Sequence, residues 1–124
     1  MTPLRERIEA AFDKKSELTA EEFAEFMRWL NDGTVRAAMP VDDGWQVQSW
    51  VKKGILLGFR SGVMQDFSEN GPLLFFDKHT FPLKPLTLQD GVRVVPGGSS
   101  VRSGSYVAKG VVIMPPAYIN VGAY

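Results

Sequence analysis

The sequence predicts an α+β chain: a mainly helical N-terminal domain over residues 1–92, then the first one to two coils of a left-handed parallel β-helix over residues 93–124, truncated. Three observations in the last quarter predict the β-helix. After Arg93 charges nearly vanish, glycine and valine rise, and a period of six appears. Val95, Val101, Val107, Ile113 and Ile119 stand in register, each followed four residues on by Ser99, Ser105, Val111, Ala117 or Ala123. Gly98, Gly104, Gly110 and Gly122 recur one residue before that column. Even if Val or Ile filled about a quarter of positions, five in register would arise about once in a thousand tries.

In a hexapeptide repeat each hexad is a short flat strand plus a turn, and three hexads close a triangular coil. The β-branched residue points inward, the small residue fits beside the corner, and glycine before it frees the backbone for the turn. Val101, Val107, Ile113 and Ile119 are therefore expected to share an interior, with Arg102 and Lys109 outside. A Val-rich β-meander, the competing reading, would alternate its side chains with period two. Solenoid units need at least about three stacked copies and a cap. Residues 95–112 make one coil and 113–124 two sides of the next, so the chain is expected to be a front part or to lean on partner chains.

The helical part reads in order. Thr2-Pro3 is an N-cap followed by proline at the first helical position. Leu4, Ile8, Ala11 and Phe12 then share one face. A second helix opens at Thr19, with Glu22 completing a capping box, and buries Phe23, Phe26, Met27 and Leu30 before Gly33 stops it. Thr34 to Val41 reads as extended, with Pro40 at an edge, and Asp42-Asp43-Gly44 as a turn. Ser49 to Arg60 is helical and apolar on most sides, the pattern of a buried helix. Gly54 and Gly58, one turn apart, would let another element approach closely. Ser61 to Pro72 reads as a loop, Leu73 to Asp77 as a short strand, and Lys78 to Gln89, with its prolines, as irregular.

Composition excludes several chemistries. With no cysteine and only His79, neither a thiolate zinc site, nor a cysteine nucleophile, nor a three-histidine zinc site of the γ-carbonic anhydrase type can form within one chain. A net charge of zero and a pI near 6.6 argue against a nucleic-acid partner. The longest apolar run, Gly54 to Phe59, is too short to cross a membrane, and Met1 to Lys15 lacks the apolar core of a signal peptide. A cytoplasmic, soluble protein is expected.

Two segments resemble one family, tetrahydrodipicolinate N-succinyltransferase. In Gly33 to Arg60, G-T-V-R-A-A is followed by W-x-x-x-x-W-V-K-K-G-I-L-L-G-F-R, and in Gly91 to Tyr124, G-V-R-V-V-P leads through V-V-I-M-P-P-A-Y-I-N-V-G-A-Y. Phe76-Asp77-Lys78 is similar too, whereas Glu17 to Asn31 and the Ser61 to Pro72 loop match weakly. The resemblance implies a homotrimer in which succinyl passes from the co-substrate succinyl-CoA to the amino group of a ring-opened dicarboxylate, between neighbouring β-helices, with no bound cofactor. It also implies that Arg93 is the substrate-binding arginine, since a guanidinium fork grips a carboxylate with two parallel bonds. The family's acidic active-site residues and CoA-binding coils lie downstream, so no catalytic residue is assigned within this chain.

Other residues read more plainly. His79 sits in a Pro-rich connector with only Asp77 beside it and reads as non-catalytic. Lys52, Lys53 and Arg60 read as a solvated face rather than a phosphate site. Trp29, Trp45 and Trp50 read as core anchors, and Asp13 and Glu17 as helix-end charges. A non-catalytic trimerisation or protein-binding module with a β-helix stub, or another hexapeptide-repeat acyltransferase, are the alternative functions.

Overall fold

The computed structural model describes residues 2–69 and 71–124. Helix α1 (Thr2–Asp13) buries Leu4, Ile8 and Ala11, the face that its spacing marks. The cap expected at Thr2 rests on a side chain outside the described residues. Helix α2 (Ala20–Asp32) opens on the expected box: the Thr19 hydroxyl accepts from the Glu22 N–H at 3.2 Å, and the Glu22 carboxylate accepts from the Thr19 N–H at 2.8 Å. It ends at Gly33, whose φ of 81° is left-handed, as a terminating glycine should be.

Strands β1 (Ala38–Val41) and β2 (Gly44–Val47) form an antiparallel hairpin with Pro40 opposite Trp45. Helix α3 (Ser49–Ser61) follows, and its glycines do what their spacing suggests. A Cβ on Gly54 would stand 2.5 Å from Phe26 Cζ, and one on Gly58 would stand 2.6 Å from both Phe23 and Phe81. Both positions therefore admit an aromatic ring against the α3 backbone. Phe26, fully buried between Gly54 and Trp50, contributes about 1.5–3 kcal/mol by its burial.

Four expectations need correction. Helix α3 is not buried all round: Leu56 is 42% exposed on its outer side. Trp45 is no core anchor; it is 66% exposed, because a two-stranded hairpin has no second layer to cover it. The Ser61 to Pro72 loop contains strand β3 (Met64–Asp66), which pairs antiparallel with β4 (Phe76–Lys78), so the strand expected at Leu73 to Asp77 starts three residues later. Arg102, expected outside, keeps only 16% of its side chain exposed, because it ion-pairs with Asp77 of β4 and lies over Phe59.

The C-terminal quarter is a set of short parallel pairs. Strand β5 (Arg93–Val94) pairs with β7 (Val112–Ile113), and β6 (Ser100–Val101) with β8 (Tyr118–Ile119). The pairing offsets are 19 and 18 residues, so each strand lies beside the one three hexads later. Backbone bonds continue the ladder between pairs, with the Tyr106 N–H donating to the Ala123 carbonyl at 2.9 Å. Gly98, Gly104, Gly110 and Gly122 all take φ between 90° and 94°, which explains their column. Val101 and Ile113 are buried and Val95, Val107 and Ile119 half-buried, while Lys109 is exposed. The sheets are all two-stranded, so the described chain is a small α+β fold of three helices and short strands.

Candidate functional site

The site residue implied by resemblance, Arg93, begins β5. The run into it is fixed by a 3₁₀ turn at Leu88–Asp90, where the Asp90 carboxylate accepts from the Thr87 N–H at 2.7 Å. Gly91 then reverses the chain at φ 65°, and its carbonyl accepts from Gly110 at 2.8 Å. The Arg93 N–H donates to the Val111 carbonyl at 2.9 Å, and its exposed side chain stands off the ladder. A pinned backbone carrying an exposed guanidinium suits recognition of a planar anion, because only the side chain has to be ordered on binding.

The helical part and the ladder are joined by a polar node at Asn31, Lys84 and residues 103–105. Residues 82–84 run antiparallel along the second hexad: the Lys84 N–H donates to the Val101 carbonyl, and Ser103 N–H to the Pro82 carbonyl, both at 2.8 Å. This covers one edge of the ladder, which would otherwise present unpaired amides. The Lys84 ammonium then donates to the Asn31 carbonyl and Oδ1, each at 2.9 Å, and to the Ser105 carbonyl at 2.8 Å. Asn31 Oδ1 accepts from the Gly104 N–H as well, and its amide donates to the Ser103 hydroxyl. Three N–H groups meet three acceptors, which only the charged lysine can supply. Burial pushes the Lys84 pKa below its ordinary range, and the Asp90 and Asp32 charges offset part of that shift.

The remaining candidates take structural roles. The His79 Nδ1 accepts from the Val63 N–H at 3.0 Å, and the Asp77 carboxylate is held by Arg102 and the Lys78 N–H, so the pair forms no acid–base couple. Lys53 reaches Asp13 at 3.4 Å and Arg60 donates to the Ser16 carbonyl, which ties α3 to the end of α1 rather than making a phosphate face. Trp50 is buried, as a core anchor should be. Asn31 and Lys84 were not legible as partners: the sequence marks Asn31 only as a helix stop. The one available signal was polar, serine at hexad positions 103 and 105 that would face inward.

Comparison with known proteins gives a consistent picture. Residues 3–61 match the family model described as tetrahydrodipicolinate N-succinyltransferase, N-terminal. A 2,3,4,5-tetrahydropyridine-2,6-dicarboxylate N-succinyltransferase of Acinetobacter baylyi is 38% identical over 136 aligned positions, covering all of this chain and 49% of the relative. Proteins of the same name from Sodalis glossinidius and Nitrosomonas europaea are 35% and 36% identical, covering 100% and 99% of this chain and 48% of each relative. The chain spans about half the length of these curated relatives. Its resemblance to the N-terminal portion of the tetrahydrodipicolinate N-succinyltransferase family thus holds over its whole length.

Proposed function

We propose that this chain is the N-terminal portion of a homotrimeric N-succinyltransferase acting on ring-opened tetrahydrodipicolinate in the diaminopimelate branch of lysine synthesis. On this reading residues 1–92 are a helical domain and residues 93–124 the first coil, and part of the second, of a left-handed β-helix. The observation that carries it is the 18- to 19-residue offset of the parallel strands, in a chain similar from end to end to about half of a protein with that name and matching the family's N-terminal model over residues 3–61.

The reaction balances without a metal or redox group. The substrate amine attacks the thioester carbonyl of succinyl-CoA, a C–N bond forms, the C–S bond breaks, and CoA leaves as its thiol with the amine proton. Arg93 holds a carboxylate of the acceptor through two parallel N–H bonds and so positions the amine. Coils beyond residue 124 hold CoA and supply the acidic residues, and the protein works in the cytoplasm. The node at Lys84 serves this by holding residues 103–105 of the first coil against the end of α2.

A thiol-release assay tests the reading. The intact protein is expected to release CoA only when succinyl-CoA and the dicarboxylate amine are both present. Residues 1–124 alone are expected to release none above background. Absence of acceptor-dependent release from the intact protein would leave a non-catalytic trimerisation module, and release by residues 1–124 alone would remove the downstream coils from the mechanism.

A further inference from the structure

A second basic site lies away from Arg93, in a groove of about 250 Å³ where α1, α3 and the β1–β2 hairpin meet. Its walls are mostly apolar, formed by Val35, Met39 and Trp50, and two guanidiniums border it, Arg5 and Arg36. Arg36 comes from the G-T-V-R-A-A segment, which the transferase reading leaves without a role.

Arg36 is held in place before any ligand arrives. Its Nε donates to the Ala38 carbonyl at 2.8 Å, and its guanidinium carbon lies 3.7 Å from the centre of the Tyr124 ring and 5.4 Å from that of Trp45. Tyr124 itself packs against Tyr106, with ring centres 4.7 Å apart and planes tilted by 34°. Among the described residues no carboxylate pairs with Arg36, and its two terminal nitrogens make no hydrogen bond. Arg5 spends its Nε on Glu9 at 3.1 Å and lies 5.9 Å from the Trp50 ring. A planar fork fixed by stacking, with its free edge uncommitted, loses little freedom when it takes a carboxylate.

We propose that this groove binds a small organic carboxylate with an apolar body, the carboxylate on Arg36 with Arg5 alongside, and the body against Trp50 and Met39. The volume is below that of drug-sized sites and fits a small metabolite. The apolar walls favour such a molecule over inorganic phosphate, which would leave them unused. The proposal does not rest on the transferase reading.

Titration calorimetry on the protein with benzoate, benzamide and inorganic phosphate tests it. Benzoate is expected to bind saturably, with a Kd of about 1 mM or below, and benzamide, the same shape without the charge, at least about tenfold more weakly. Phosphate is expected not to displace benzoate. Arg36→Gln should weaken benzoate by about tenfold while the circular dichroism melt stays cooperative. Should Arg36→Gln fail to fold, Arg5→Gln, whose side chain is 53% exposed on α1, is expected to show weakening of the same sign. No saturable benzoate binding, equal affinity for benzamide, displacement by phosphate, or unchanged affinity in a folded arginine variant would each overturn the proposal.

Discussion

Lys84→Met is expected to lower the stability of the fold by about 3 kcal/mol, read as a shift in the denaturant midpoint at unchanged slope. Methionine keeps most of the volume but donates nothing. The Asn31 and Ser105 carbonyls then lose their charged donor, while Asn31 Oδ1 keeps the Gly104 N–H. Hydrogen bonds to a charged group contribute about 1.5–3 kcal/mol each, and three on one ammonium are not additive. Relief of the ammonium's desolvation offsets part of the loss. The pH dependence has a definite sign. Burial lowers the folded-state pKa below the ordinary 10.5, so the folded state releases this proton first. The wild type therefore gains stability as pH rises from the folded value towards 10.5, relative to Lys84→Met, and a denaturation series at alkaline pH checks the slope. A loss under about 0.5 kcal/mol at neutral pH would show that the node is solvated rather than structural.

Arg93→Lys in the intact protein is expected to weaken the dicarboxylate by roughly tenfold to a hundredfold and succinyl-CoA much less. Lysine keeps the charge but loses the planar fork, so two parallel bonds become one looser contact. That loss corresponds to about 1.5–3 kcal/mol. Steady-state kinetics with each substrate varied in turn separates a binding residue from an exposed arginine at a junction. For the latter the change stays within about 0.5 kcal/mol. Unchanged KM and kcat for the amino acceptor would remove Arg93 from the site.

What the sequence made legible follows from which interactions are periodic. The faces of α1 and α2, the Thr19–Glu22 box, the Gly33 stop and the glycines at 98, 104, 110 and 122 are local or repeating features, so residue identity and spacing were enough. Trp45 lies exposed where its residue type predicts a core anchor, because composition cannot tell a covered hairpin from an uncovered one. Arg102 is covered although its register predicts an outer position, because hexad register gives its direction but not the β3–β4 hairpin whose Asp77 pairs with it. The Asn31–Lys84 node joins residues 53 apart in the chain, and no spacing rule connects a helix stop with a lysine between prolines. Arg93 illustrates the other limit: its place at the start of the ladder is readable from the hexad register, whereas the role proposed for it rests on resemblance alone.

Cysteine cross-linking tests the coil most directly, since the chain contains no cysteine of its own. In a three-sided coil Ser100 and Tyr118 lie side by side on one face, whereas Ser100 and Val112 belong to different sides. Neighbouring strands bring Cα atoms within the distance that a disulfide spans, about 4.4–6.8 Å. The variant carrying Ser100→Cys and Tyr118→Cys is expected to close an intrachain disulfide under mild oxidation, seen by mass spectrometry. The variant carrying Ser100→Cys and Val112→Cys is expected to stay reduced. Closure of the 100/112 pair with none at 100/118 would mean an antiparallel meander and would contradict the coil on which the account depends.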